Sequence, residues 1–454
     1  MPRKIADNAL LKVWRLAWPV MVSTGLTQLL SIVDMAFVAR MGTESVAAVT
    51  ASSTVTRLLT GIGAGIGTAV LALTSRFFGA EKKDQIGKIA YHGTVLTLTA
   101  GLVFCGSLIF FTPGVLRLFS QEQSVLSLGI PYLRYMLAGL IFLFGYFALS
   151  AVLQGCGDTK TPLRIITVAN VVNLLLDPLL IFGLAGFPRM GIKGAGLTSL
   201  IAQILSCGLA IFYLVFSGKS PLVNSKGTRA SPDRNLIRNI FSLSLPASAQ
   251  MIARPLSGML LLYLVSFFGT AALAAFGIGL KLTMFCSVFM SGLTAAVATL
   301  VGQSLGRGNL ADAKNVIRTS QRIGNLVFLA VGLSYFFFAT PLMSIFVPEP
   351  EVLKLGVEYI RILSVSLTAL GLMASFSGTF QGSGDTPAMM QTAIIANWPI
   401  KLGCAWFMGF VWPGQLYGIW IAISLSIFIE TALQYIWFKK GGWYRKQTIV
   451  WKGA

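Results

Sequence analysis

Charge is scarce in this chain: Asp, Glu, Lys and Arg make up 11% of its 454 residues, while 55% are hydrophobic. Soluble domains carry about 25% charge, so the balance excludes a soluble globular protein and leaves little chain for an extramembrane enzyme domain. Acids are the rarer sign, 15 against 35 bases, for a net charge of +20. Such an excess in a soluble protein suggests nucleic acid, but here the bases sit between apolar runs, where the bilayer accounts for them. The five cysteines, Cys105, Cys156, Cys207, Cys286 and Cys404, are odd in number and widely spaced, which excludes a disulfide framework and a thiol metal centre. The one histidine, His92, reads as an incidental residue at a loop edge. No G-x-x-x-x-G-K-S/T phosphate loop occurs, so ATP hydrolysis on this chain is excluded and no cofactor is implied. The first apolar run, containing Trp18 to Val38, is too long for a cleaved signal peptide and lacks a small-residue cleavage pattern.

What is present is a series of apolar runs long enough to cross a bilayer, which takes about 20 helical residues. They fall near 15–40, 46–77, 90–112, 128–154, 162–185, 191–216, 240–267, 272–303, 321–347, 356–381, 388–411 and 415–438. The fold class is all-α integral membrane with twelve transmembrane helices. Bases crowd alternate loops (Lys82 and Lys83, Lys160 and Arg164, Arg307 and Lys314) and both ends, whereas the opposite loops hold few, such as Arg117 and Arg189. Both termini are therefore expected in the cytoplasm, on a multi-pass protein of the cytoplasmic membrane.

The strongest signal is an internal repeat. Adding 227 to a position in the first half lands on a like residue in the second: Pro19/Pro246, Gly42/Gly269, Gly79/Gly306, Gln154/Gln381, Gly157/Gly384, Asp158/Asp385 and Asn170/Asn397. Six spans per half is an even number, so the halves insert in the same orientation and are expected about an axis along the membrane normal, with a central cleft. The expected division is a six-helix lobe over 1–216, a cytoplasmic linker over 217–239, a second lobe over 240–438 and a tail over 439–454. Two bundles around a cleft are built to alternate between inward-open and outward-open states.

Few acids fall inside spans: Asp34, Asp177 and Glu430. An intramembrane carboxylate costs about 2.5–3.5 kcal/mol on insertion scales and is a functional candidate by default. Asp177 lies 15 residues beyond Pro162, with Asn173 one turn before it on the same face, and Asp34 reaches a comparable depth. Thr198 and Ser199 descend to that layer from the other side. Two carboxylates, an amide and a hydroxyl suit a small cation: one acid takes a proton, or the pair shares Na⁺ at Asp34, Asn173 and Asp177. The alternative is that either acid is salt-bridged to Arg57 or Arg254. By repeat register the second-half mates of Asp34, Asn173 and Asp177 are Leu261, Ile400 and Cys404, so the cluster belongs to one half. Pro19, 15 residues before Asp34, is a candidate hinge. Gln28, Met35, Arg254, Met284 and Glu430 are candidates for the substrate cleft, with Arg254 and Glu430 either pairing between the bundles or lining the cleft. Gly61, Gly63, Gly65 and Gly67 read as a close-packing helix face.

The segment Val33 to Gly42 (VDMAFVARMG), the paired QGCGDT and QGSGDT (Gln154 to Thr159, Gln381 to Thr386) and NLLLDPLLIFG (Asn173 to Gly183) resemble the multidrug and toxic compound extrusion (MATE) transporters, in the branch named for DNA-damage-inducible members. The resemblance implies a two-lobed antiporter that exports organic, often cationic compounds in exchange for H⁺ or Na⁺, with Asp34, Asn173, Asp177 and the sixth-helix hydroxyl at Ser199 in the coupling site. Rival readings are a lipid or lipid-linked-precursor flippase and a non-transporting sensor. The expected partners are small organic molecules and the bilayer, with the chain acting as a monomer.

Overall fold

The computed structural model describes residues 2–217, 233–412 and 415–445, with backbone alone for residues 2–8. Most of the expected linker and the end of the tail lie outside the described residues. Twelve long helical segments account for the rest: α1 (Pro2–Ala39), α2 (Thr43–Gly79), α3 (Lys83–Arg117), α4 (Gln123–Gly155), α5 (Lys160–Phe182), α6 (Ile192–Phe216), α7 (Arg234–Ser266), α8 (Thr270–Gly306), α9 (Leu310–Phe337), α10 (Pro350–Ser383), α11 (Thr386–Val411) and α12 (Gln415–Lys440). No strand occurs among the described residues. Eleven of the twelve are long and apolar enough to cross a membrane. The exception, α9, carries Lys314, Arg318 and Arg322 in its first half, which dilutes an otherwise apolar helix.

The repeat is visible in the backbone. Helix starts at Thr43 and Thr270, Lys83 and Leu310, and Gln123 and Pro350 stand 227 apart. So do the left-handed turns at Gly42 (φ 106°) and Gly269 (φ 94°), and at Gly157 (φ 88°) and Gly384 (φ 70°), where a Cβ would be strained. In each half one helix sits at the centre of its neighbours. α4 packs against α2, α3 and α6, and its mate α10 packs against α8, α9 and α12.

The chain packs as two units, residues 22–248 and residues 1–21 with 249–454. By packing, the boundary between the units falls within α1 and α7. The two crossing points, 21/22 and 248/249, are again 227 apart, each two residues beyond a repeat proline, Pro19 or Pro246. Packing explains the exchange. Val13, Leu16 and Ala17 are buried in one core with Leu293, Ala296 and Val297 of α8. Gly292 has no Cβ to obstruct Ala17 and Met21, and its mate Gly65 likewise admits Ser248, whose hydroxyl donates to the Ile62 carbonyl at 3.1 Å. Gly63 meets the Phe144 ring and Gly67 the Phe147 backbone in the same way, so the glycine run of α2 is a close-packing face.

The repeat pair α5 and α11 differs in winding. α5 is regular, whereas α11 widens into π turns at Ala396–Leu402, with Pro399 inside, and at Phe407–Val411. The buried stripe of α5 runs through Pro162, Ile165, Ala169, Asn173 and Asp177. Its counterpart begins in register at Met389, Thr392 and Ala396, then continues at Lys401 and Ala405. The π turn inserts one residue, so Lys401 and Ala405, not the register mates Ile400 and Cys404, take the inward places of Asn173 and Asp177.

Candidate functional site

The first unit encloses a cavity of about 430 Å³ whose wall includes Asp34, Met35 and Tyr132, with Asn173, Ser199 and Gln203 from α5 and α6. α1 supplies Asp34 and α5 supplies Asp177, and the two carboxyls are neighbours. Two adjacent carboxylates out of water cannot both stay ionised, so the pair suits a proton or a shared cation. Asp177 sits behind the wall, 1% exposed, and takes a hydrogen bond from the fully buried Thr198 hydroxyl. The Thr198 Oγ1 also lies 2.9 Å from the Ala195 carbonyl. With a single proton it donates to an ionised Asp177, or donates to Ala195 while accepting from a protonated Asp177. Asp34 Oδ1 is buried with no partner, an acceptor suited to a cation or a proton carrier. Among the described residues no three His, Cys, Asp or Glu side chains come together; to the two carboxyls the cavity wall adds neutral polar groups and Arg57.

Neither acid is ion-paired among the described residues. Arg57 lines the same cavity without pairing with them, and Arg254 is engaged with Glu430. Arg254 and Glu430 belong to the same unit, which corrects the expectation of a pair between bundles. Gln28 is half-buried and off the cavity wall, Met284 is exposed on α8 of the second unit, and Pro19 lies within the stretch of α1 that packs with that unit. Tyr132, Asn170 and Gln203 on the cavity wall escape a sequence reading because uncharged polar residues in apolar helices carry no distinguishing signal.

His92 also differs from its reading as an incidental loop residue: it is buried in α3. Its Nδ1 donates to the Lys88 carbonyl at 2.8 Å, and its Nε2 accepts the Asp233 N–H at 3.1 Å, which ties the start of α7 to α3. All five cysteines are free thiols.

The family model MatE matches residues 19–179 and 246–407, two segments whose starts are 227 apart. This chain belongs to the MATE family. Similar proteins include "Probable multidrug resistance protein YoeA" of Bacillus subtilis, 28% identical over 93% of each chain. Another is an "FAD transporter" of Shewanella oneidensis, 29% identical over 76% of each chain. A solved structure described as the outward-facing conformation of a multidrug resistance MATE family transporter superposes with a TM-score of 0.88 at 21% identity, covering 98% of this chain and 97% of that one. A MATE protein is a transporter and not an enzyme. The resemblance read from the Val33, Gln154 and Asn173 segments thus holds over most of the chain, and the MATE fold accounts for two units of six helical segments each.

Proposed function

We propose that the protein exports small organic molecules across the cytoplasmic membrane by alternating access, in exchange for H⁺ or Na⁺ bound at Asp34 and Asp177. The observation that carries this reading is the carboxyl pair beside a cavity, with Thr198 on one acid and an unpartnered oxygen on the other. When the ion leaves, the pair carries the negative charge that holds a substrate in the cavity. When a proton or Na⁺ returns, that charge is neutralised and the substrate is released. Because both ligands draw on the same acids, exchange follows from competition and needs no long-range coupling. Asn173 and Ser199 supply further polar contacts from the cavity wall. The relatives' printed names, a multidrug resistance protein and an FAD transporter, differ in cargo, so the substrate class must be read from this chain's own residues.

The test is gradient-driven ethidium transport in proteoliposomes, with pH and Na⁺ gradients imposed separately. Asp34→Asn and Asp177→Asn are each expected to lower the initial rate at least tenfold under the gradient that drives wild type. Undiminished transport by both variants would overturn the mechanism.

A further inference from the structure

The two units agree in position and differ in polarity. Subtracting 227 from Arg254, Asn397 and Glu430 gives Thr27, Asn170 and Gln203, and all three line the first unit's cavity. At 254 and 430 the second unit therefore bears charge where the first bears the neutral Thr27 and Gln203, while 397 and 170 are asparagine in both. Lys401 completes the set through the π turn of α11, which puts it in the inward place that Asn173 holds in α5. An amide beside two acids in one unit becomes an ammonium beside a guanidinium in the other.

The four side chains form one chain of hydrogen bonds. Glu430, 4% exposed, accepts from Arg254 Nη2 on Oε1 and from Asn397 Nδ2 at 3.2 Å on Oε2. Asn397 Nδ2 also donates to the Ala393 carbonyl at 2.9 Å, while its Oδ1 accepts from Lys401 Nζ at 2.8 Å. Glu430 and Asn397 thereby fix the orientation of both cationic groups. The charges do not balance, since two bases share one carboxylate. The donors do not balance either. Arg254 Nε is buried with no partner, and Lys401, 9% exposed, uses one of its three N–H groups on Asn397 and is in no ion pair among the described residues. Buried donors without acceptors and a surplus buried charge are both costly unless something compensates them.

We infer that Arg254 and Lys401 form a binding site for the anionic group, a carboxylate or a phosphate, of a transported molecule. An oxyanion supplies the missing negative charge and the missing acceptors together, whereas an organic cation is repelled and an apolar group leaves the donors unmet. The guanidinium presents a planar fork and the ammonium a point charge, a pairing suited to a group with several oxygens. Arg254 keeps 31% of its side-chain surface open. Calling the ligand a transported molecule rests on the export reading above; the binding of an anion does not.

The experiment is equilibrium binding of fluorescein, a soluble dianion, to the purified full-length protein in detergent, read by fluorescence polarisation with no gradient present. Saturable binding is expected in wild type, weakened at least tenfold by Lys401→Met and by Arg254→Gln, and largely retained by Lys401→Arg. Should Lys401→Met fail to fold, Arg254→Gln carries the same expectation from a partly open position. Equal affinity in wild type and Arg254→Gln, or no saturable binding in wild type, overturns the proposal. A second arm offers phosphatidylglycerol vesicles: retention on these without fluorescein binding assigns the cluster to a lipid headgroup and overturns the transported-molecule assignment. Because no gradient is used, loss of ethidium exchange in the transport assay and loss of fluorescein binding are separate failures.

Discussion

Thr198 is the residue on which the proposed ion site turns, because its one proton has two acceptors within reach, Asp177 and the Ala195 carbonyl. Which one it serves depends on whether Asp177 is ionised, so the hydroxyl supports both states of the acid. A hydrogen bond to a charged group contributes about 1.5–3 kcal/mol, and each 1.4 kcal/mol is a factor of ten. Thr198→Val keeps the shape and removes the hydroxyl, and is expected to lower gradient-driven ethidium transport about tenfold or more, while Thr198→Ser stays close to wild type. Wild-type rates in the valine variant would remove Thr198 from the site. At this scale much was legible in the sequence. Asp34 and Asp177 stand out because charge inside a span is expensive, and helical spacing put Asn173 on the face of Asp177. Lys401 was not legible, because register arithmetic matches it to Leu174, an exposed residue of α5, and only the extra residue of the π turn rotates it inward.

At the scale of elements, close approach between helices is carried by residues without side chains. Gly324 of α9 and Gly371 of α10 lie against each other's backbone, so a Cβ on Gly371 would meet the Gly324 main chain. Their repeat mates are Thr97 and Phe144, so this contact is peculiar to the second unit. Without a hydrophobic drive between helices in lipid, such backbone proximity is a principal source of association. Overpacking a tight contact costs about 1–3 kcal/mol. Gly371→Leu is therefore expected to lower the unfolding temperature measured in detergent by several degrees, whereas Gly258→Leu, with no atom within 4 Å of its Cβ position, is expected to leave it nearly unchanged. Equal shifts in the two variants would contradict the role given to the contact. The helices and their repeat were readable from apolar runs. The passage of α1 and α7 from one unit to the other was not, since composition marks a hydrophilic linker and cannot reveal which core accepts Val13 or Ser248.

For the whole molecule, the parity of the repeat fixes more than the order of helices. Six spans per repeat return the chain to its starting side, so in each repeat alternate turns, 80–82 and 156–159 in the first and 307–309 in the second, are expected on the side where that repeat begins. These turns and the residues beside them hold Lys82, Lys83, Lys160 and Arg307, whereas 118–122 and 183–191 with the residues beside them hold Arg117 and Arg189. Basic residues resist translocation, so that starting side is expected in the cytoplasm. The consequence is measurable because the five native cysteines are free thiols and form no disulfides that their replacement would break. With those five replaced by alanine, Ser120→Cys is expected to react with a membrane-impermeant maleimide added outside intact cells. Lys83→Cys is expected to react only after permeabilisation. The reverse pattern would invert the protein in the membrane and, with it, the direction of the proposed exchange, because the same gradient would then drive uptake in place of export.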